Sequence, residues 1–257
     1  MPGPPGCAYP GTERNQGGPL LMTAAKPAPK SLGRPGGRGR PSKAKGLDLK
    51  ETILDAAEGL FARHGFYGVT TRQVAAEAGV DTALIHYYFG AKRELFDAVF
   101  LRRAEILNQA REASMDAYLS DHGEAMTVEG VIEAFIDPLL RISQDGGPGW
   151  KSYFALVAQV NNTPAWGGET MTRFFDPVVH RLVETLKSVR PQAEYRDLYW
   201  CYQFLTGSMM LALSETGRID SLSEGECHSS DLEAVRARLF AYCAAGFEAV
   251  IAKAGAA

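Results

Sequence analysis

The tightest constraint on this chain is a spacing: Thr70 and Gln73 stand three residues apart at the head of a helical run that Gly79 cuts off after barely two turns. A Thr hydroxyl at a helix N-cap accepts from the amide three residues on. A Gln at that third position reaches back to the cap amide, so T-x-x-Q satisfies two orphan donors at once. Val74, Ala75 and Ala78 share the inner face of this short helix. Asp81 caps a second one, which points Leu84, Ile85 and Tyr88 inward and stops near Phe89 and Gly90. A longer helix precedes the pair, with Leu49, Ile53, Ala56, Ala57, Leu60 and Phe61 at helical spacing from about Asp48 to a stop at His64 and Gly65. Another begins at Ala91, with Leu95, Phe96, Val99 and the stretch from Leu101 to Leu107 as its apolar positions.

The remaining chain repeats that period. Helices are expected at about 127–144, 150–161, 168–189, 193–217 and 230–253, with breaks at Gly146 to Gly149, Asn161 to Pro164, Arg190–Pro191 and Gly217 to Gly225. No apolar–polar alternation persists long enough to demand a strand, so the expected fold class is all-α. A hydrophobic fraction of 46% suffices for a core. Three regions follow: an arm over 1–46, a three-helix unit over 47–93 and a larger helical domain over 94–257.

The arm is read as disordered, because its Pro, Gly, Lys and Arg leave little apolar surface to offset ordering entropy. It carries eight basic residues (Arg14, Lys26, Lys30, Arg34, Arg38, Arg40, Lys43, Lys45) against Glu13 alone, while the whole chain has a net charge of -3. The pattern is a basic arm on an acidic body. Met22 stands beside Met1 as a candidate start. The four cysteines are scattered without a C-x-x-C pair, so no metal site, cofactor or disulfide framework is expected. No apolar run approaches the length of a bilayer span, and a cytoplasmic protein without a membrane partner is expected.

Two short helices on a fixed turn, backed by a longer one, are what a reader of duplex DNA needs, because one helix fits the major groove and the turn sets its angle. On the outward face of the second, Thr82 and His86 can hydrogen-bond base edges, Ala83 can meet a thymine methyl, and Tyr87 can donate to a phosphate. The free amides that open the first favour a phosphate, with Thr71 and Arg72 as added donors and Lys92 across the same track. Thr70 and Gln73 are read as a cap alone, and Tyr88 as partly core. From 47 to 93 acidic and basic residues nearly balance, so affinity must lean on these few cations, the helix ends and the arm. In the arm, Arg38-Gly39-Arg40-Pro41 resembles the core of an AT-hook, whose two arginines lie in a narrow A·T minor groove.

The runs Gly65 to Ala75, Ala78-Gly79-Val80 and Leu84 to Leu95 together resemble the DNA-binding domain of the tetracycline-repressor (TetR) family of bacterial regulators, over about 47–100. The resemblance implies an N-terminal three-helix helix-turn-helix domain followed by a helical ligand-binding and dimerisation domain. It also implies a homodimer on double-stranded, near-palindromic operator DNA, most often as a repressor. Carried onto matching positions, the DNA contacts are Thr71, Arg72, Thr82, Ala83, His86, Tyr87, Tyr88 and Lys92. His86 departs from the Tyr common in the family, which leaves the base preference open.

In the family the last two helices pair with their two-fold mates. Here they carry Leu198, Phe204, Leu205, Met210 and Leu211, then Leu232, Val235, Leu239, Tyr242, Phe247 and Val250, with Gly207 and Ser208 permitting close approach. Candidate ligand-site residues are Phe135, Leu139, Tyr153, Phe154, Val157, Phe174, Phe175, Val178, Tyr202 and Met209, a set that also serves to fill a core. Asn161, Asn162, Arg141, His180 and Gln203 are the polar candidates. Without an acidic cluster among them, the expected effector is small and apolar or anionic, aromatic or acyl-bearing; Trp200 to Gly217 resembles members that answer to fatty acids or acyl thioesters. The rival is an architectural or partner-recruiting DNA-binding protein of the same fold. No G-x-S-x-G, P-loop or H-E-x-x-H motif supports an enzyme.

Overall fold

The computed structural model describes residues 43–164 and 166–254. Among the described residues are ten α-helices, one 3-10 turn at Gly123–Ala125 and no strand. The helices are α1 (Lys43–His64), α2 (Thr71–Ala78), α3 (Thr82–Phe89), α4 (Lys92–His122), α5 (Val128–Asp145), α6 (Pro148–Asn161), α7 (Gly167–Val189), α8 (Tyr195–Leu213), α9 (Arg218–Leu222) and α10 (Leu232–Ala254). The all-α expectation holds. Two boundaries differ from expectation by more than two residues. α1 is already helical at Lys43, ahead of Asp48, and α8 ends at Leu213 rather than near 217. Glu215 (φ 43°) and Gly217 (φ 70°) turn the chain there, and the expected break beyond holds the short α9. That turn is pinned by Asp220, whose carboxylate accepts from the Ser229 amide at 2.8 Å, a bond that lowers its pKa.

α4 organises the rest. At 31 residues it is about 46 Å long, and it packs against α1 near its start and against α5 and α7 further on. Its inward stripe is Phe96, Val99, Phe100, Ala104, Leu107, Arg111 and Met115, spaced by three or four residues except for the adjacent pair Val99 and Phe100. Leu101 and Ile106, read from sequence as part of an apolar run, lie off that stripe and are exposed. α5 packs on α10, and α10 on α8. One continuous core runs from Ile53, Phe61, Val74 and Ile85 in the first three helices to Leu205, Phe247 and Ile251 in the last.

The join between α1 and α4 is ionic. Glu58 is 3% exposed and accepts from Arg103 Nε at 2.5 Å, Arg103 Nη2 at 2.7 Å and Arg102 Nη2 at 3.1 Å. Arg102 Nη1 also reaches Glu51 at 3.0 Å and Asp55 at 2.8 Å. The Arg103 guanidinium lies 4.7 Å from the Trp150 ring centre, and a side chain at Gly149 would collide with it. Gln159 Nε2 on α6 donates to the Ala62 carbonyl at 2.6 Å and ties α6 to the end of α1.

Removing one member of a buried charge cluster strands the others. Glu58→Ala is expected to cost about 3 kcal/mol, which lowers Tm by roughly 6–12 °C in a chain of this size. Adding Arg103→Met should recover part of that loss in thermal unfolding, because the stranded cation is then gone.

Candidate functional site

The turn between α2 and α3 is built by local chemistry. Thr70 Oγ1 accepts from the Gln73 amide at 3.2 Å, and Gln73 Oε1 accepts from the Thr70 amide at 2.8 Å, completing the capping box. Gly79 closes α2 in the left-handed region (φ 66°, ψ 30°), and the Val80 amide donates to Ala75 O at 2.9 Å. A side chain at 79 would meet open space, so glycine is required there for its dihedral angle rather than for room. Asp81 Oδ1 then accepts from the Ala83 amide at 2.9 Å and starts α3. Val74, Ala75, Ile85 and Phe89 are buried and seat the pair on α1 and α4.

This leaves Arg72, Ala83, His86 and Tyr87 exposed, with Thr71 and Thr82 half-buried. Tyr87 is 68% exposed and braced edge-on by Tyr88, whose half-buried ring packs on the core. His86 Nδ1 lies 3.0 Å from Gly90 O. A carbonyl only accepts, so Nδ1 carries the proton, and Nε2 of the neutral ring is an acceptor suited to the amino group of adenine or cytosine.

Lys92 sits differently from the sequence expectation. Its Nζ donates to Phe66 O and Val69 O, both at 2.9 Å, and stands 4.3 Å over the Phe66 ring. The turn between α1 and α2 leaves those carbonyls without helix partners, and Lys92 satisfies them with two of its three N–H groups. Tyr67 in the same turn is 73% exposed against Phe66, and the sequence reading passed over it because no period applies in a turn. Arg38 and Arg40 lie outside the described residues.

In the larger domain a cavity of about 20 Å³ lies between α4, α5, α6, α7 and α8. That is room for about one water. Of the expected residues, Leu139, Phe154, Val157, Phe175, Tyr202 and Met209 line it, and so does Asn161. Phe135, Tyr153, Phe174 and Val178 do not; they are core side chains, and Tyr153 donates to Phe100 O at 3.2 Å, with burial pushing its phenol pKa up. Asn162, Arg141, His180 and Gln203 are exposed. Leu107, Arg111, Met171, Thr206 and Met210 complete the lining, and the sequence reading named none of them.

Two family models match the chain: bacterial regulatory proteins of the tetR family over residues 53–99, and the tetracyclin repressor-like C-terminal domain over 133–246. Together they cover more than half of it. The chain belongs to the TetR family. Among curated relatives, the regulator BetI of Agrobacterium fabrum is 44% identical over 46 residues, and the transcriptional repressor NicS of Pseudomonas putida is 35% identical over 77. Those matches take in 18% and 30% of this chain but only 22% and 36% of the relatives' lengths. A TetR-like transcriptional regulator from Rhodococcus sp. RHA1 shares the fold, with a TM-score of 0.54 at 18% identity, covering 77% of this chain and 96% of that one. Among the described residues no helix is long and apolar enough to cross a membrane.

Because α2 is too short to persist alone, its cap matters to the whole TetR reading head. Thr70→Ala is expected to cost about 1 kcal/mol, and Thr70→Ser close to nothing, in thermal unfolding followed by circular dichroism.

Proposed function

We propose that this chain is a DNA-binding transcriptional regulator that grips a near-palindromic operator as a homodimer, acts as a repressor, and is released by a small apolar or anionic effector. One observation carries the reading: α3 stands on a capped, glycine-set turn with Ala83, His86 and Tyr87 exposed along one side and Arg72 beside them. Placed in the major groove, that side meets base edges, while the α2 amides, Thr71, Arg72 and Tyr87 meet phosphates. The arm carrying Arg38 and Arg40 adds a minor-groove contact. Repression is the activity named for the relative NicS.

Dimerisation is supported by an unpartnered apolar stripe. Trp200 (57% exposed), Phe204 (61%) and Leu211 (67%) recur along α8 with Gly207 between them, and Tyr242 (72%) stands on α10, which packs beside α8. A stripe of this kind suits a two-fold mate presenting the same helices. Effector release is supported by α4, which runs unbroken from Lys92 under the reading head to Leu107 and Arg111 at the cavity. A second reading, a DNA-binding protein that recruits a protein partner and has no small ligand, draws its support from the smallness of the cavity.

Footprinting the protein on its own upstream region should reveal two protected half-sites roughly 34 Å apart; a single unpaired half-site would defeat the dimer reading. Arg72→Ala should weaken operator binding about tenfold or more, and Tyr87→Phe by about threefold to tenfold, with dimerisation unchanged in both. Phe204→Glu should act on the dimer first. In sedimentation the dimer is expected to give way to monomer, with operator affinity lost as a consequence, because burying an unpaired carboxylate in a two-fold seam is prohibitive.

A further inference from the structure

This fold pairs its other buried charges. Glu58 receives two arginines, and Asp137 lies 2.5 Å from Arg141 Nε and 2.8 Å from Arg236 Nε. Arg111 is the exception. It is 4% exposed on the inward side of α4, and no carboxylate among the described residues pairs with it. Its Nε donates to Phe135 O at 3.3 Å, its Nη2 lies 3.6 Å from Met209 Sδ, and its plane stands 4.1 Å from the Phe135 ring centre. One long bond to a carbonyl, a thioether and a ring face leave a guanidinium with five N–H groups poorly served. Burial pushes its pKa down to about 10, with Tyr202 and Tyr153 working against the shift, so it still carries its charge at neutral pH.

The cavity that Arg111 lines holds a second unserved group. Thr206 Oγ1 is buried with no hydrogen-bond partner. Apart from Asn161 and Tyr202 the remaining wall is apolar, and it includes Met171, Met209 and Met210, unbranched side chains that repack at low cost. No acidic residue and no second cation belongs to the lining.

Building on the regulator reading above, we propose that the effector is a monoanionic organic acid, whose carboxylate pairs with Arg111 and accepts a hydrogen bond from Thr206 while its apolar body takes the space that the three methionines now fill. One fixed positive charge is balanced by one negative charge. A dianionic phosphate ester would leave a buried charge uncompensated, and a cation would add to the one already there. The cavity as it stands is too small for such an acid, so binding requires Met171, Met209 and Met210 to swing aside. The ion pair formed in a water-poor site supplies the driving force.

The test uses the full chain without DNA, with octanoate and 3-phenylpropanoate as probes, octan-1-ol and 3-phenylpropan-1-ol as their neutral counterparts, and octyl phosphate as the dianion. Calorimetry and thermal unfolding are expected to show at least one carboxylate binding at least tenfold more tightly than its alcohol. At a hundredfold excess over Kd it should raise Tm by roughly 5–10 °C. Arg111→Met should fold, remain at least as stable as the parent, and lose the response to carboxylate. Thr206→Val should keep the fold and weaken carboxylate binding threefold or more, and it decides the matter if Arg111→Met fails to fold. The proposal is overturned if neither carboxylate binds, if alcohol or octyl phosphate binds as tightly, or if Arg111→Met or Thr206→Val responds to carboxylate as the parent does. Because no DNA is present, such a failure leaves the operator footprint standing, whereas a chain that binds octanoate but protects no DNA loses the regulator reading and keeps this site.

Discussion

A carboxylate as deeply buried as Glu58 is tolerable only where cations reach it from the right side, and Arg102 and Arg103, consecutive on α4, fix how α1 lies across that helix. The placement of α1 decides much else. Phe61 packs edge-on against Phe96 of α4, and Phe66, just past the end of α1, meets both Phe96 and Trp166. Lys92 closes the same junction by holding the carbonyls of the turn into α2. The reading head is therefore fastened to the start of α4 by one buried ionic cluster, one lysine and an aromatic stack. None of these survives a shift of α1 along α4.

α2 and α3 have eight residues each, well below the length at which a helix persists alone in water. Their caps make them competent to form, and burial of Val74, Ala75, Ile85 and Phe89 makes them form. The exposed side of α3 is in that sense a by-product of what its other side must cover. With Ile85 and Phe89 committed to the core and Leu84 and Tyr88 half-buried at its edge, helical geometry leaves Ala83, His86 and Tyr87 facing out.

That logic explains which parts were legible in the sequence. The capping box at Thr70 and Gln73, the turn at Gly79 and the Asp81 cap are local codes, and the structure places them as the residues dictate. The C-terminal aromatics were legible as buried, but the distinction between Phe154, which lines the cavity, and Phe135, which does not, depends on how five helices converge. Arg111 was overlooked because a charge in a helix reads as solvated until its surroundings are known, and the two carbonyls that Lys92 meets lie too far back in the chain for local rules to find. Lys92 holds carbonyls left over by a turn, and Arg111 sits where a leucine would have looked natural. α9 escaped because Gly217 and Gly225 mark a break in composition, while the Asp220–Ser229 bond that orders it joins residues too far apart for local rules.

The position of Arg111 also bears on how a ligand can act on DNA binding at all. An effector shifts an equilibrium only by the difference in its affinity for the two states, so a tenfold change in operator affinity needs about 1.4 kcal/mol of differential binding. Apolar contacts in a repacking methionine-lined cavity are poor discriminators, because they re-form in many arrangements. An unpaired guanidinium is a sharp one, since an ion pair made in low dielectric weakens steeply when its partners are displaced or wetted. Arg111 is also rigidly connected to the reading head. From Lys92 to Arg111 there is about 28 Å of uninterrupted helix, tied to α7 by Arg93 to Thr170 Oγ1 at 2.8 Å and by Asn108 to Phe174 O at 2.6 Å. A shift of α4 that satisfied the charge would have to carry Lys92, and with it the carbonyls of the turn into α2. In the homodimer proposed above, the separation between the two reading heads would then depend on whether that one charge is neutralised.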